Sequence, residues 1–168
     1  GFGSLQGVIN TKSELYTHIK STNGKLIYNV DDSTLIKQMG NYSNTLSYSG
    51  NQSGIVNGEL IALTPFVEFK WNTTNYQSPV ISTKIVGKYN FYNFLAAISF
   101  GIEFNVSPEK INRALAEYAP TNNRSQIEKT EFNTLILDAY NANPTSVQSA
   151  LESFDLIDNK NKVIILGD

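Results

Sequence analysis

The stretch LILDAYNANPTSVQSAL at 135–151 limits the fold more than any other part of the chain. An apolar run stops at an acid, Asp138. A tight polar turn follows, and then a helix for which Asn143 is a candidate cap and Pro144 fits the first turn. A strand that hands over to a helix in this way belongs to an α/β layer, whose ligands sit beyond the carboxyl ends of the strands. Asp138 stands at such an end and can accept hydrogen bonds from ribose hydroxyls. Turn chemistry alone explains Asn143 and Pro144, but not the whole string from Asp138 to Pro144.

The same rhythm runs through the first part of the chain. Leu15 and Ile19, with Tyr16 beside them, predict a short amphipathic helix over 11–22 that Asn23-Gly24 stops. KLIYNV at 25–30 reads as a buried strand, and Asp31, Asp32 and Ser33 offer caps for a helix over 33–40. TLSYS at 45–49 is a second strand. After Gly50 the chain turns rich in Val, Ile, Thr and aromatics. Strands are expected near 54–57, 59–63, 66–71 and 79–86, with Asn57-Gly58 as a hairpin turn. Helical spacing returns over 88–102, and a helix over 107–118 opens with Ser107 as cap and Pro108 behind it.

The polar, proline-bearing stretch APTNNRS at 119–125 is the best domain boundary, dividing a unit over 1–120 from one over 121–168. In the second unit strands are expected at 125–130, 133–138 and 161–167 around a helix at 144–157. The predicted class is α/β: a parallel sheet with flanking helices and an antiparallel β addition, followed by the start of another α/β unit.

Composition removes several kinds of chemistry. The chain has no cysteine, which excludes disulfides, thiolate nucleophiles and cysteine-held zinc. Its one histidine, His18, excludes a multi-histidine metal site. A net charge of −2 leaves no basic footprint for nucleic acid. No apolar run approaches the ~20 residues of a spanning helix, so no membrane insertion is expected. The first ten residues lack a signal-peptide pattern, and a cytoplasmic location is expected. Ser21-Thr22-Asn23-Gly24-Lys25-Leu26 imitates the end of a phosphate-binding loop, but Leu26 takes the place of the needed Ser/Thr and a strand follows.

Three further places could carry chemistry. Asn90 and Asn93 in GKYNFYNFLAA at 87–97 share a helix face, and amides can read a purine edge; Asn90 could equally be a helix cap. Arg124 offers a planar fork suited to phosphate, although a loop arginine is ordinarily just solvated. Lys12 reads, by itself, as a surface lysine.

Taken together and in order, GFGSLQGVINTKSEL at 1–15, GKYNFYNFLAA at 87–97, NRS at 123–125 with the string after Leu135, and the terminal ILGD resemble the Mur ligases. The likeness is strongest to the D-alanyl-D-alanine-adding branch. It implies a three-domain enzyme of peptidoglycan synthesis, of which this sequence looks like the second half of the central ATP-binding domain (1–120) and the first part of a C-terminal Rossmann-like domain (121–168). The P-loop, the catalytic glutamate and a histidine are expected upstream of Gly1, so the chain alone is expected to be inactive.

Residue by residue, the resemblance implies the following roles. Lys12 matches a lysine that such enzymes carbamylate to bind Mg2+. Asn90 and Asn93 match the adenine pocket, with Asn93 as the direct contact. Arg124 matches the arginine that reaches the terminal phosphates of ATP. Asp138 matches the acid that holds the ribose. Tyr140, Asn141 and Asn143 match the turn lining the cleft. The implied reaction activates the carboxylate of UDP-N-acetylmuramoyl-tripeptide as an acyl phosphate, which the amine of D-alanyl-D-alanine then attacks. The rival readings are another Mur ligase, a folylpolyglutamate synthetase-like ligase, or a non-catalytic nucleotide-binding module. The oligomeric state is not legible.

Overall fold

A computed structural model describes residues 3–139 and 144–167. Strands β1 (Leu26–Asn29) and β2 (Thr45–Ser49) are joined by helix α2 (Ser33–Met39) and pair in parallel. β3 (Val56–Ala62) adds to β2 in parallel. β4 (Glu68–Thr73) then runs antiparallel to β3, and β5 (Tyr76–Gln77) and β6 (Ile81–Ser82) pair antiparallel with β4. This is the expected α/β layer with an antiparallel addition. α1 (Leu5–Ser21) precedes the sheet, and α3 (Asn90–Glu103) and α4 (Pro108–Glu117) follow it.

The core lies between the sheet and α3. Val56, Phe69 and Trp71 from the strands meet Phe91, Phe94, Leu95 and Ile98 from α3, all at most 4% exposed. The Phe69 and Phe94 rings stack at 5.3 Å. Trp71 is also held at its polar edge, its Nε1 donating to the Asn112 Oδ1 on α4 at 2.7 Å. Apolar burial on this scale is the main stabilising term of the unit.

Several sequence expectations need correction. Asn57-Gly58 does not turn the chain; β3 runs straight through it. The Asn57 amide instead braces Gly54, accepting from its N–H and donating to its carbonyl, each at 2.8 Å. Gly58 is required by packing: a Cβ there would lie 2.6 Å from Phe91 Cζ and 2.7 Å from Leu95 Cδ2. Helix α1 is longer than predicted and buries no residue; Leu15 is 60% exposed. Ser13 and Lys20 tie α1 to α2 by donating to the Gln38 side chain and carbonyl, and the half-buried Tyr16 hydroxyl has its pKa raised by burial and by the nearby Asp32 charge. Asp32 alone caps α2, accepting from the Thr34 and Leu35 amides. Ser107 is the N-cap of α4 with Pro108 behind it, as expected, but its side chain makes no capping bond.

After α4, β7 (Gln126–Lys129) and β8 (Thr134–Leu137) form an antiparallel two-stranded sheet, followed by α5 (Pro144–Asp155). The strand expected at 161–167 is not formed. That segment is apolar but exposed, with Ile165 92% accessible, and pairs with no strand among the described residues. A strand needs a neighbour to satisfy its backbone groups, and the two-stranded β7–β8 sheet does not provide one here. No helix of the described residues is long and apolar enough to cross a membrane.

Candidate functional site

The parallel strands β1 and β2 end beside the first turn of α3, the edge at which open α/β sheets bind ligands. Asp31, just past β1, organises this edge. Its Oδ1 accepts from the Ser49 hydroxyl at 2.8 Å and its Oδ2 from the Gly50 amide at 2.7 Å. Burial pushes the Asp31 carboxyl up, but hydrogen bonds from Ser49, Gly50, Asn51 and Tyr92 outweigh it and hold the group below its ordinary pKa. Tyr92, on α3, is therefore tied through Asp31 to the turn after β1.

α3 begins after Gly87, whose φ of +96° suits glycine. A Cβ there would lie 2.7 Å from Tyr89 Cε1, so the missing side chain lets the Tyr89 ring fold back over the chain. Asn90 is the first residue of the helix rather than its cap. Its amide nitrogen donates to the Val86 carbonyl at 2.8 Å and its Oδ1 accepts from Asn93 Nδ2 at 3.0 Å. Both ends of Asn90 are thus occupied. The exposed Asn93 keeps its Oδ1 and one N–H for a ligand.

The loop between α4 and β7 carries exposed Arg124 between two left-handed residues, Asn123 at φ +56° and Ser125 at φ +51°. Ser125 is buried at 3% exposure. Its N–H donates to Asp138 Oδ1 at 3.3 Å, and the Ala139 N–H donates to the Asn123 carbonyl at 2.9 Å. These bonds join the loop to the end of β8. The Ser125 hydroxyl is hydrogen-bonded to the Tyr89 hydroxyl. One chain of contacts therefore runs from the start of α3, which carries Asn90 and Asn93, to the loop of Arg124 and to Asp138. The adjoining cleft, lined by Val86, Tyr89, Ser125, Ile136 and Phe154 among others, holds about 30 Å³, room for a water rather than a nucleotide.

Lys12 lies exposed on α1, outside this chain of contacts. Among the described residues no group of three His, Asp or Glu side chains could hold a metal ion. Tyr140, Asn141 and Asn143 lie outside the described residues. Sequence reasoning missed Tyr89, Ser125 and the role of Asp31. Only Gly87, two residues before an aromatic, offered a signal for any of them.

The family model described as the Mur ligase middle domain matches residues 1–101. Among curated relatives, the UDP-N-acetylmuramoyl-tripeptide–D-alanyl-D-alanine ligase of Bacillus subtilis is 28% identical over 168 residues, covering 99% of this chain and 36% of that protein. Among solved structures, MurF from Acinetobacter baumannii superimposes with a TM-score of 0.77 at 27% identity, over 91% of this chain and 34% of that one. MurF from Thermotoga maritima, solved in complex with ADP, shares the fold at a TM-score of 0.75 and 19% identity, over 91% of this chain and 35% of that one. Matches extend to Mur ligases named for other substrates and to a folylpolyglutamate synthase. The chain spans roughly a third of the length of the curated ligases that match it from end to end.

Proposed function

The chain belongs to the Mur ligase family, and on that premise we propose that it supplies part of the ATP site of a cytoplasmic ligase adding D-alanyl-D-alanine to UDP-N-acetylmuramoyl-tripeptide in peptidoglycan synthesis. The observation that supports this best is the contact chain that starts beside Asn93 and ends on Asp138. It joins two groups from different units that suit the two ends of a nucleoside. Asn93 reads the adenine edge with its unused amide atoms. Asp138 accepts from the ribose hydroxyls. Arg124 reaches the phosphates with its planar fork.

The reaction proceeds in two steps. An oxygen of the tripeptide carboxylate attacks the γ-phosphorus of ATP, the bond to the bridging oxygen breaks, and ADP leaves with that electron pair. The free amine of D-alanyl-D-alanine then attacks the acyl carbon, loses a proton, and expels inorganic phosphate. Phosphoryl transfer is governed by positioning and charge neutralisation. Arg124 neutralises charge in the first step, while Asn93 and Asp138 keep the nucleotide in line. Mg2+, when bound, neutralises phosphate charge; Lys12, if carbamylated, contributes an oxygen donor to it.

In the intact ligase, Asn93→Ala, Arg124→Ala and Asp138→Ala are each expected to lower kcat/KM for ATP roughly ten- to hundredfold. Release of inorganic phosphate, measured with D-alanyl-D-alanine, other amino acids and glutamyl folates as acceptors, checks both the residues and the branch. Wild-type turnover in all three variants would remove the site assignment. Preference for another acceptor would move the chain to another branch.

A further inference from the structure

We propose that Tyr89 and Ser125 are positioning residues whose hydroxyl–hydroxyl bridge latches the helix carrying Asn93 to the loop carrying Arg124, setting the spacing between the adenine and ribose sides of the site. The functional half of this inference rests on the nucleotide reading above; the mechanical half does not.

Four observations converge on the bridge. Ser125 is 3% exposed although Asn123 and Arg124 beside it are open to solvent. A buried hydroxyl is costly without a partner, and Tyr89 supplies one from the other side of the boundary. Ser125 also holds φ at +51°, a conformation L-residues seldom adopt, so its surroundings must hold it there. Its own amide meanwhile donates to Asp138, so a displaced Ser125 would carry the acid with it.

Tyr89 shows the matching features from its side. Tyr89 is 37% exposed, so filling the core does not account for its placement. The chain makes room for the ring at Gly87, where a Cβ would stand 2.7 Å from it. Tyr89 immediately precedes α3, and the Asn90 amide N–H is bonded to the Gly87 carbonyl at 3.0 Å. Movement of the tyrosine is thereby coupled to the turn from which Asn93 projects. The bridge has one hydroxyl at each end, so Tyr89→Phe and Ser125→Ala remove the same bond while keeping ring and backbone.

The test has two readouts. In the 168-residue chain, amide hydrogen exchange at Ser125 and Ala139 is expected to quicken roughly fivefold in Tyr89→Phe and in Ser125→Ala, with no further gain in the double variant. The amides of Val56 and Trp71 in the core serve as the check that the fold is intact and are expected to stay unchanged. In the intact ligase the same variants are expected to raise KM for ATP roughly three- to tenfold with a smaller change in kcat. Unchanged exchange at Ser125 and Ala139, or additive effects in the double variant, would overturn the latch. Faster exchange with an unmoved KM would overturn its positioning role. An intact protein without ATP-dependent ligation would refute the nucleotide reading, while the exchange result would still judge the bridge.

Discussion

The stretches before and after Leu115 treat apolar sequence in opposite ways. Up to Leu115, the sheet strands and helices α3 and α4 bury their apolar faces, with Val56, Phe69, Leu95 and Ile98 at 0% exposure. Beyond it no large hydrophobic side chain of the described residues is buried; Val163 and Ile165 are 79% and 92% exposed. Composition does not separate the two regions, since KVIILG is as apolar as KLIYNV. They differ in partners. Leu26 to Asn29 pair with Thr45 to Tyr48 and lie under α3, whereas 162–167 meets no strand among the described residues. Local sequence proposes a strand, and only a neighbouring strand allows it to form.

The sharpest way to break this contrast is to cut equivalent side chains in both regions. Leu95→Ala, at 0% exposure beneath the sheet, is expected to cost about 2–5 kcal/mol of unfolding free energy. Ile165→Ala is expected to change it by less than about 0.5 kcal/mol. Urea denaturation followed by Trp71 fluorescence measures both, because the indole sits in the same core. A comparable loss from Ile165→Ala would mean that the terminal segment packs after all.

A smaller effect tests how tightly the first region is filled. Gly58→Ala places a methyl against Phe91 and Leu95, both rooted in α3. Neither ring nor isobutyl group can retreat far in a packed interior, so a loss of about 1–3 kcal/mol is expected. The same denaturation curve gives the value. A neutral outcome would show that α3 can ride away from β3.

Legibility follows the same division. The β1–α2–β2 passage could be read because its signals are local: apolar runs, a capping aspartate and a terminating Gly40. Asn57-Gly58 misled because a turn signal is also local, while the pairing of Asn57 with Asn72 and the close approach of α3 are not. For the proposed site, local chemistry singles out Asn90, Asn93, Arg124 and Asp138, and the family resemblance supplies the roles proposed for them. The Tyr89–Ser125 bridge spans 36 residues and has no periodicity to reveal it. Asp31 and Asp32 were indistinguishable as caps, since either can occupy that place in a helix start. The fold separates them, giving the cap to Asp32 and the strand edge to Asp31.

That separation yields the finest test, because Asp31 and Asp138 are both acids at strand ends, one in each region. Asp31 accepts bonds from four neighbours; the exposed Asp138 accepts the Ser125 amide at 3.3 Å. Asp31 should therefore serve the fold, and Asp138 should be available to a ligand. Since hydrogen bonds hold Asp31 below its ordinary value of 3.8, its ionised form is favoured in the folded state. That contribution is fully present above the unfolded pKa and is lost as pH falls through the lower, folded one. Asp31→Asn is expected to cost about 1 kcal/mol at pH 7, a modest figure because solvent reaches part of the carboxylate. The gap between variant and wild type should narrow as the pH is brought below 3.8. Asp138→Asn at pH 7 is expected to change stability by less than about 0.5 kcal/mol. Urea midpoints across pH 7 to 3 would decide it. A gap for Asp31→Asn that widens on acidification would mean that the four donors do not favour the charged form, and the contrast between the two acids would fail with it.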